Sequence, residues 1–369
     1  MTHRERFNRI MNYQPYDRMP ILHFGYWAET LQKWRDEGHF TNEEMQDIYD
    51  GSSAEKLISA KLGFDYNYFT CFHTADNLLP AFDWKVLEVL PDGIRKIRNN
   101  DGVIVIEKDG ATSIPAEIDH LLKDRASWEE HYKPRLQFDQ RRIDYFALDK
   151  LKSDGWDSPM GLHCGSLFGC IRNWLGIVGM SYLLMDDEEL LTEIIDTTGE
   201  LVYRLTESVL KTGIQFDFGH IWEDICFKNG PLVNPNVIRE KVGPHYKRLS
   251  VLLNRHGINI VSLDCDGCID ALVPVWMDNG VNTMFPIEVG TWRASIAPWR
   301  EKYGKSLRGV GGMDKVVFSR DYAAIEAEIE RLKPLVEMGG FIPCPDHRLA
   351  PDAKWENIQY YCEKMRMTF

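Results

Sequence analysis

Asn259-Ile-Val-Ser-Leu-Asp-Cys-Asp-Gly267 is an apolar run of strand length closed by two acids one residue apart. Side chains alternate along a strand, so Asp264 and Asp266 belong to one face and Cys265 to the other. Two carboxylates held that close repel each other unless a cation or a shared proton lies between them. The same arrangement, an apolar segment ending in a titratable side chain, returns further on. Glu288 follows Val281-Asn-Thr-Met-Phe-Pro-Ile287, Asp314 follows Leu307-Arg-Gly-Val-Gly-Gly-Met313, and Asp346 with His347 follow Gly340-Phe-Ile-Pro-Cys-Pro345. Polar groups at the C-terminal ends of successive buried strands are how an alternating β/α barrel assembles one site from many elements.

Strand candidates upstream continue the pattern: Arg18-Met-Pro-Ile-Leu-His-Phe-Gly-Tyr26, Phe64-Asp-Tyr-Asn-Tyr-Phe-Thr-Cys-Phe72, Met160-Gly-Leu-His163 and Phe216-Asp-Phe218. With 258–263, 283–285, 307–310 and 340–342 they make eight. Helical periodicity marks 3–13 and 27–62, then 186–212, 236–255, 269–279 and 321–338. Strict alternation predicts a parallel closed sheet, an α/β (β/α)8 TIM barrel forming one domain over residues 1–369. Residues 83–120 break the rhythm. Pro91-Asp-Gly and Asn100-Asp-Gly are turn signals beside β-rich Val103-Ile-Val-Ile106, which predicts a β-hairpin insertion after the second strand. Gly311-Gly-Met is read as a tight turn closing the seventh strand.

Composition narrows the function classes. The chain is 44% hydrophobic and 12% aromatic, enough to bury a large core. Its 56 acids against 43 bases give a net charge of -13, which disfavours nucleic acid and anionic membrane as partners. No apolar run has the ~20 residues that span a bilayer, and Met1-Thr-His-Arg-Glu-Arg-Phe7 has no apolar signal stretch. Eight irregularly spaced cysteines suit free thiols in a cytoplasmic protein better than a disulfide framework.

Several motifs match a known family. Arg4-Glu-Arg-Phe7 with Asp17-Arg-Met-Pro20, Gly311-Gly-Met-Asp-Lys315, and Gly339-Gly-Phe-Ile-Pro-Cys-Pro-Asp-His347 with Trp355-Glu-Asn357 resemble the uroporphyrinogen decarboxylase superfamily over essentially the whole chain. The resemblance implies a (β/α)8 barrel with its site in the C-terminal mouth. It leaves the reaction open, because the superfamily contains the haem-pathway decarboxylase and corrinoid-dependent methyltransferases. The decarboxylase's two arginines, which dock a polycarboxylate, fall here on Gly25 and Glu29, and Glu29 would repel such a substrate. Its second-strand aspartate has no clean counterpart in Thr70-Cys-Phe-His73, and its tyrosine falls on Arg172. Only the last-strand histidine is matched, by His347. The methyltransferase branch holds zinc with a His-x-Cys-Gly motif on the fifth strand and a cysteine on the eighth. Here those positions read Asp264-Cys265-Asp266-Gly267 and His347, with Cys344 three residues earlier, an oxygen- and nitrogen-rich set.

That substitution implies a methyltransferase taking its methyl group from an oxygen- or nitrogen-linked donor, such as an aromatic methyl ether (an O-demethylase). The resemblance further implies a corrinoid carried by a partner protein, zinc as the candidate metal, and a homodimer. Asp264, Asp266, Glu288 and His347 are the expected metal ligands. Asp266, Glu288 and His347 double as expected catalytic groups, with Glu223 behind them, and Asp346 is placed to orient His347. His220 and Glu223 would share the mouth if His220-Ile-Trp-Glu-Asp224 formed a helical turn, and would be loop residues otherwise. Tyr26, Trp27, His163, Phe168, His220, Trp222 and Arg172 are the expected substrate contacts. Together with Phe72 and Phe285, these aromatics favour a flat apolar ligand. Cys265-x-x-Cys268 is read as core, and His23 as satisfying a local backbone group. Two other readings stay open: a decarboxylase of a different acid, using Arg172, Lys228 or Arg348, and a non-catalytic binding protein.

Overall fold

The computed structural model describes residues 1–108 and 115–369. Phe341–Pro345, Arg308–Met313, Thr283–Phe285, Val261–Asp264, Phe218–Trp222, Gly161–His163 and Cys71–Phe72 are hydrogen-bonded in that order as one parallel sheet. Leu22–His23 pairs in parallel with Tyr66–Asn67, the other half of the second strand. The chain just past Leu22–His23 closes on the opposite edge: Tyr26 bridges Leu349 in parallel, and Leu349 N–H donates to the Gly25 carbonyl at 3.1 Å. The result is TIM-barrel-like. Helices lie between the strands, and Glu188–Leu210 shows why they form. The Asp187 carboxylate caps it by accepting from Leu190 N–H at 2.9 Å, and Leu190, Ile194, Leu201 and Leu205 bury one face at helical spacing.

The barrel floor is aromatic. Helix His3–Met11 sends Phe7 to within 5.4 Å of Phe218, and Tyr68 stacks on Phe218 at 5.0 Å with Phe285 4.9 Å away. All four are fully buried. Polar groups begin one layer above them, where Ser262 Oγ accepts from Tyr68 Oη at 3.0 Å.

Four expectations are corrected. The insertion is a four-stranded antiparallel sheet (Lys85–Val89, Ile94–Arg98, Val103–Lys108, Ala116–His120), not a hairpin. The fourth strand, Ala-Glu-Ile-Asp-His, is too polar and exposed to announce itself. Residues 109–114 of that predicted segment lie outside the described residues. The helical stretch 27–62 is two helices, Ala28–Asp36 and Ser53–Leu62, because Gly38 and Gly51 adopt positive φ and Ser52 caps the second. The barrel strand expected at 216–218 runs instead over Phe218–Trp222. Gly311 and Gly312 sit inside the seventh strand. A Cβ on Gly311, whose φ is +124°, would stand 1.4 Å from the Pro286 carbonyl oxygen, so glycine there permits a close strand approach. Among the described residues, no helix is long and apolar enough to cross a membrane.

Candidate functional site

Alternation along Phe218–Trp222 sorts its side chains. An added Cβ on Gly219 would meet Leu253 of the outer helix Gly243–Arg255, whereas Phe218 and His220 face the aromatic interior. On the neighbouring strand Ser262 lies beside His220, with 3.3 Å between Oγ and Nδ1, so Asp264, two residues on, faces inward as well. Cys265 faces outward, where its Sγ accepts from Ile225 N–H at 3.3 Å.

Three carboxylates meet at the top of these strands. Asp224, Asp264 and Asp266 each present an oxygen within 4.8 Å of the other two. Asp224 sits at φ +47°, which Asp tolerates better than most residues, and its Oδ1 accepts from Asp266 N–H at 2.9 Å. Burial, then Asp266, pushes the Asp224 carboxyl up to about 6. Burial, then Asp224 and Asp266, raises Asp264 well above the usual carboxylate range. The group is short of positive charge, and a divalent cation is one way to supply it.

His347 borders this group, its Nε2 3.3 Å from Asp266 Oδ2. Trp27 stacks on the imidazole at 5.6 Å and 13°, and Phe24 meets its edge at 5.9 Å. Side-chain exposures of 37% for Asp266 and 22% for His347 show that solvent reaches the pair. The mouth therefore gathers Asp264, Asp266, His347 and Trp27, with Trp222 in register beside Asp264.

Other expected residues have different tasks. Glu288 is outside the triad: it accepts from Gly267 N–H at 2.5 Å and Thr291 Oγ1 at 2.9 Å, and burial, then Asp266, raises its carboxyl. Glu223 points outward, since His220–Trp222 is strand rather than helical turn. Its oxygens accept from Leu167, Phe168 and Gly169 N–H and from the Ser166 and Tyr246 hydroxyls, which joins it to the start of helix Gly169–Asp186. Phe168 is wholly buried there. Tyr26 turns its hydroxyl to Ser59 Oγ at 2.8 Å and packs between His23 and Trp34, away from the mouth. His163 is bound by Asp76 Oδ2 at 2.8 Å and stacked on His73. His23 is held by Glu55 and by Gly25 N–H. Asp346 does not orient His347. It accepts from Gly290 and Lys315 N–H, because alternation sends it to the opposite side. Arg172 Nε is buried without a hydrogen-bond partner, within electrostatic reach of Asp224. Asp224 itself was not among the expected ligands. The signal for it was the period-two series 218, 220, 222, 224, hidden by ending the strand at 218.

No family model and no curated protein matches this chain by sequence. Among solved structures, its fold is similar to that of a methyltransferase from Methanosarcina mazei, with a TM-score of 0.64 at 15% identity over 99% of this chain and 98% of that one. A protein described as a vitamin-B12-independent methionine synthase from Listeria monocytogenes aligns over 96% of this chain and 99% of that one at 12% identity, but its TM-score of 0.44 carries no weight. The first likeness establishes a shared fold and leaves the chemistry to the residues.

Proposed function

We propose that this chain is a single-domain (β/α)8 methyltransferase of the uroporphyrinogen decarboxylase superfamily. It moves a methyl group from a small donor, an aromatic methyl ether fitting best, to a corrinoid carried by a partner protein. A cytoplasmic homodimer belongs to the same proposal. The observation that carries it is the Asp224–Asp264–Asp266 group at the mouth of a barrel that shares its fold with a methyltransferase.

The residues fit a divalent ion. Asp224, Asp264 and Asp266 would hold it, with His347 alongside. Cys265 faces away and Cys344 is fully buried in the eighth strand, so an oxygen-rich set fits better than a thiolate one, with zinc among the candidate ions. Such an ion supplies a Lewis acid for the departing heteroatom. The chain's own groups do the rest. Trp27 and Phe24 flank His347 with flat apolar surface, a seat for an arene. When the methyl–oxygen bond breaks, its electron pair stays on oxygen, which needs a proton. His347 is placed to deliver that proton, and Asp266, 3.3 Å away, to hold the imidazolium beforehand. A reduced corrinoid on a partner protein would supply the nucleophile that accepts the methyl group at the open mouth.

The decarboxylase reading needs a free cation for the substrate carboxylate. Arg348 is paired with Asp50 at 2.6 Å and Lys228 is exposed on a turn, which leaves Arg172. The test is incubation with reduced corrinoid protein and a panel of aryl methyl ethers, methylamines and methyl thioethers. Methylated cobalt and demethylated product are expected. No methylation with any donor, or carbon dioxide release from a carboxylic acid without corrinoid, would overturn the proposal.

A further inference from the structure

His220 is fully buried on the fourth barrel strand, two register pairs below Asp264. Rings of Tyr68, Phe69, Phe218 and Phe285 surround its imidazole at 5.4 to 6.1 Å, all steeply inclined to it. One nitrogen is accounted for, since Nδ1 lies 3.3 Å from Ser262 Oγ, and that hydroxyl is itself fixed by Tyr68. The other is not. Nε2 is buried with no hydrogen-bond partner, and the nearest carboxylate oxygen, Asp264 Oδ2, is 4.0 Å away. That is too long for a hydrogen bond, and an orphaned nitrogen in an aromatic cage is costly unless something else satisfies it.

The separation suits a shared ion. Two ligand atoms each about 2.1 Å from one metal can be up to about 4.2 Å apart. With Nδ1–H donating to Ser262, the Nε2 lone pair would be free beside Asp264, which is how a metal-binding histidine is usually held. We infer that His220 Nε2 is a nitrogen ligand, paired with Asp264, to the divalent cation of the acidic mouth. An imidazole beside carboxylates selects a transition ion such as manganese or zinc over magnesium. This rests on the proposed metal-bearing mouth and adds a ligand that lies below it.

Pulsed electron paramagnetic resonance on the manganese-loaded full chain tests it, using wild type, His220→Gln and His347→Gln, with folding checked by circular dichroism. Wild type should show a directly bonded imidazole nitrogen. His347→Gln should keep it, and His220→Gln should lose it along with at least about tenfold in manganese affinity. A wild-type signal without bonded nitrogen, or one lost in His347→Gln, overturns the inference even if His220→Gln fails to fold. A chain that binds no manganese also overturns it, while methyl transfer is judged separately by cobalt methylation.

Discussion

Replacing Glu223 with glutamine should weaken the fold and leave the mouth intact. Glu223 Oε2 accepts from Gly169 N–H at 2.6 Å, Phe168 N–H at 2.9 Å and Ser166 Oγ at 3.1 Å, and Oε1 from Leu167 N–H at 3.1 Å and Tyr246 Oη at 2.7 Å. An amide can keep only one oxygen. In its better orientation the NH2 faces Leu167 and Tyr246; the tyrosine hydroxyl can turn and accept, but the Leu167 N–H is stranded. One buried unsatisfied donor costs about 1–3 kcal/mol. The bonds that remain lose their charge assistance, about 1 kcal/mol or more together. The lower desolvation of a neutral amide offsets part of this, leaving about 2 kcal/mol. For 369 residues the unfolding entropy is about 0.8 kcal/mol/K, so Tm should fall by about 3 °C. Calorimetry and urea titration read the stability, and manganese titration reads the site. Unchanged Tm with lost metal binding or lost methyl transfer would return Glu223 to the mouth.

Five further outcomes are expected. Because Asp224 is raised to about 6, protons should compete with cations, and divalent-ion affinity should drop as pH falls through that value, as titration calorimetry would show. The metal-free chain should behave oppositely. A carboxyl raised in the folded state makes stability fall as pH rises from about 4 to about 6, by roughly 2 kcal/mol once solvent contact is discounted, and Asp224→Asn should flatten that slope in urea melts. Gly311→Ala should cost more than about 4 kcal/mol or abolish soluble expression, since its Cβ collides with the Pro286 carbonyl. Cys265→Ala should leave metal affinity within about twofold, because the thiol faces away; a large loss would bring a thiolate into the ligand set. Trp27→Ala should raise the KM of an aromatic donor more than it lowers kcat, since the indole offers stacking surface beside His347.

The alternation of Asp264, Cys265 and Asp266 was legible because a strand's two-residue period depends only on local sequence. So were the turns at Pro91 and Asn99–Gly102, where a short helical turn and a Gly102-to-Asn99 hydrogen bond form. What was hidden depended on distant partners. Gly219 and His220 extend a strand because they are walled by Leu253 on one side and aromatic rings on the other. The correct end of that strand turns Glu223 outward to a helix start more than fifty residues upstream in sequence, and brings Asp224 to its acidic neighbours. Tyr26 was misplaced for a similar reason. Its direction is set by Ser59 and Trp34, which no local pattern around residue 26 reveals.

Equilibrium dialysis against manganese at about pH 8, above the value of about 6 to which Asp224 is raised, is the most direct test of the acidic mouth. One ion per chain is expected, with Asp264→Asn binding at least about a hundredfold more weakly while keeping its fold. A chain that takes up no ion, or an Asp264→Asn variant that binds as well as the parent, would contradict it.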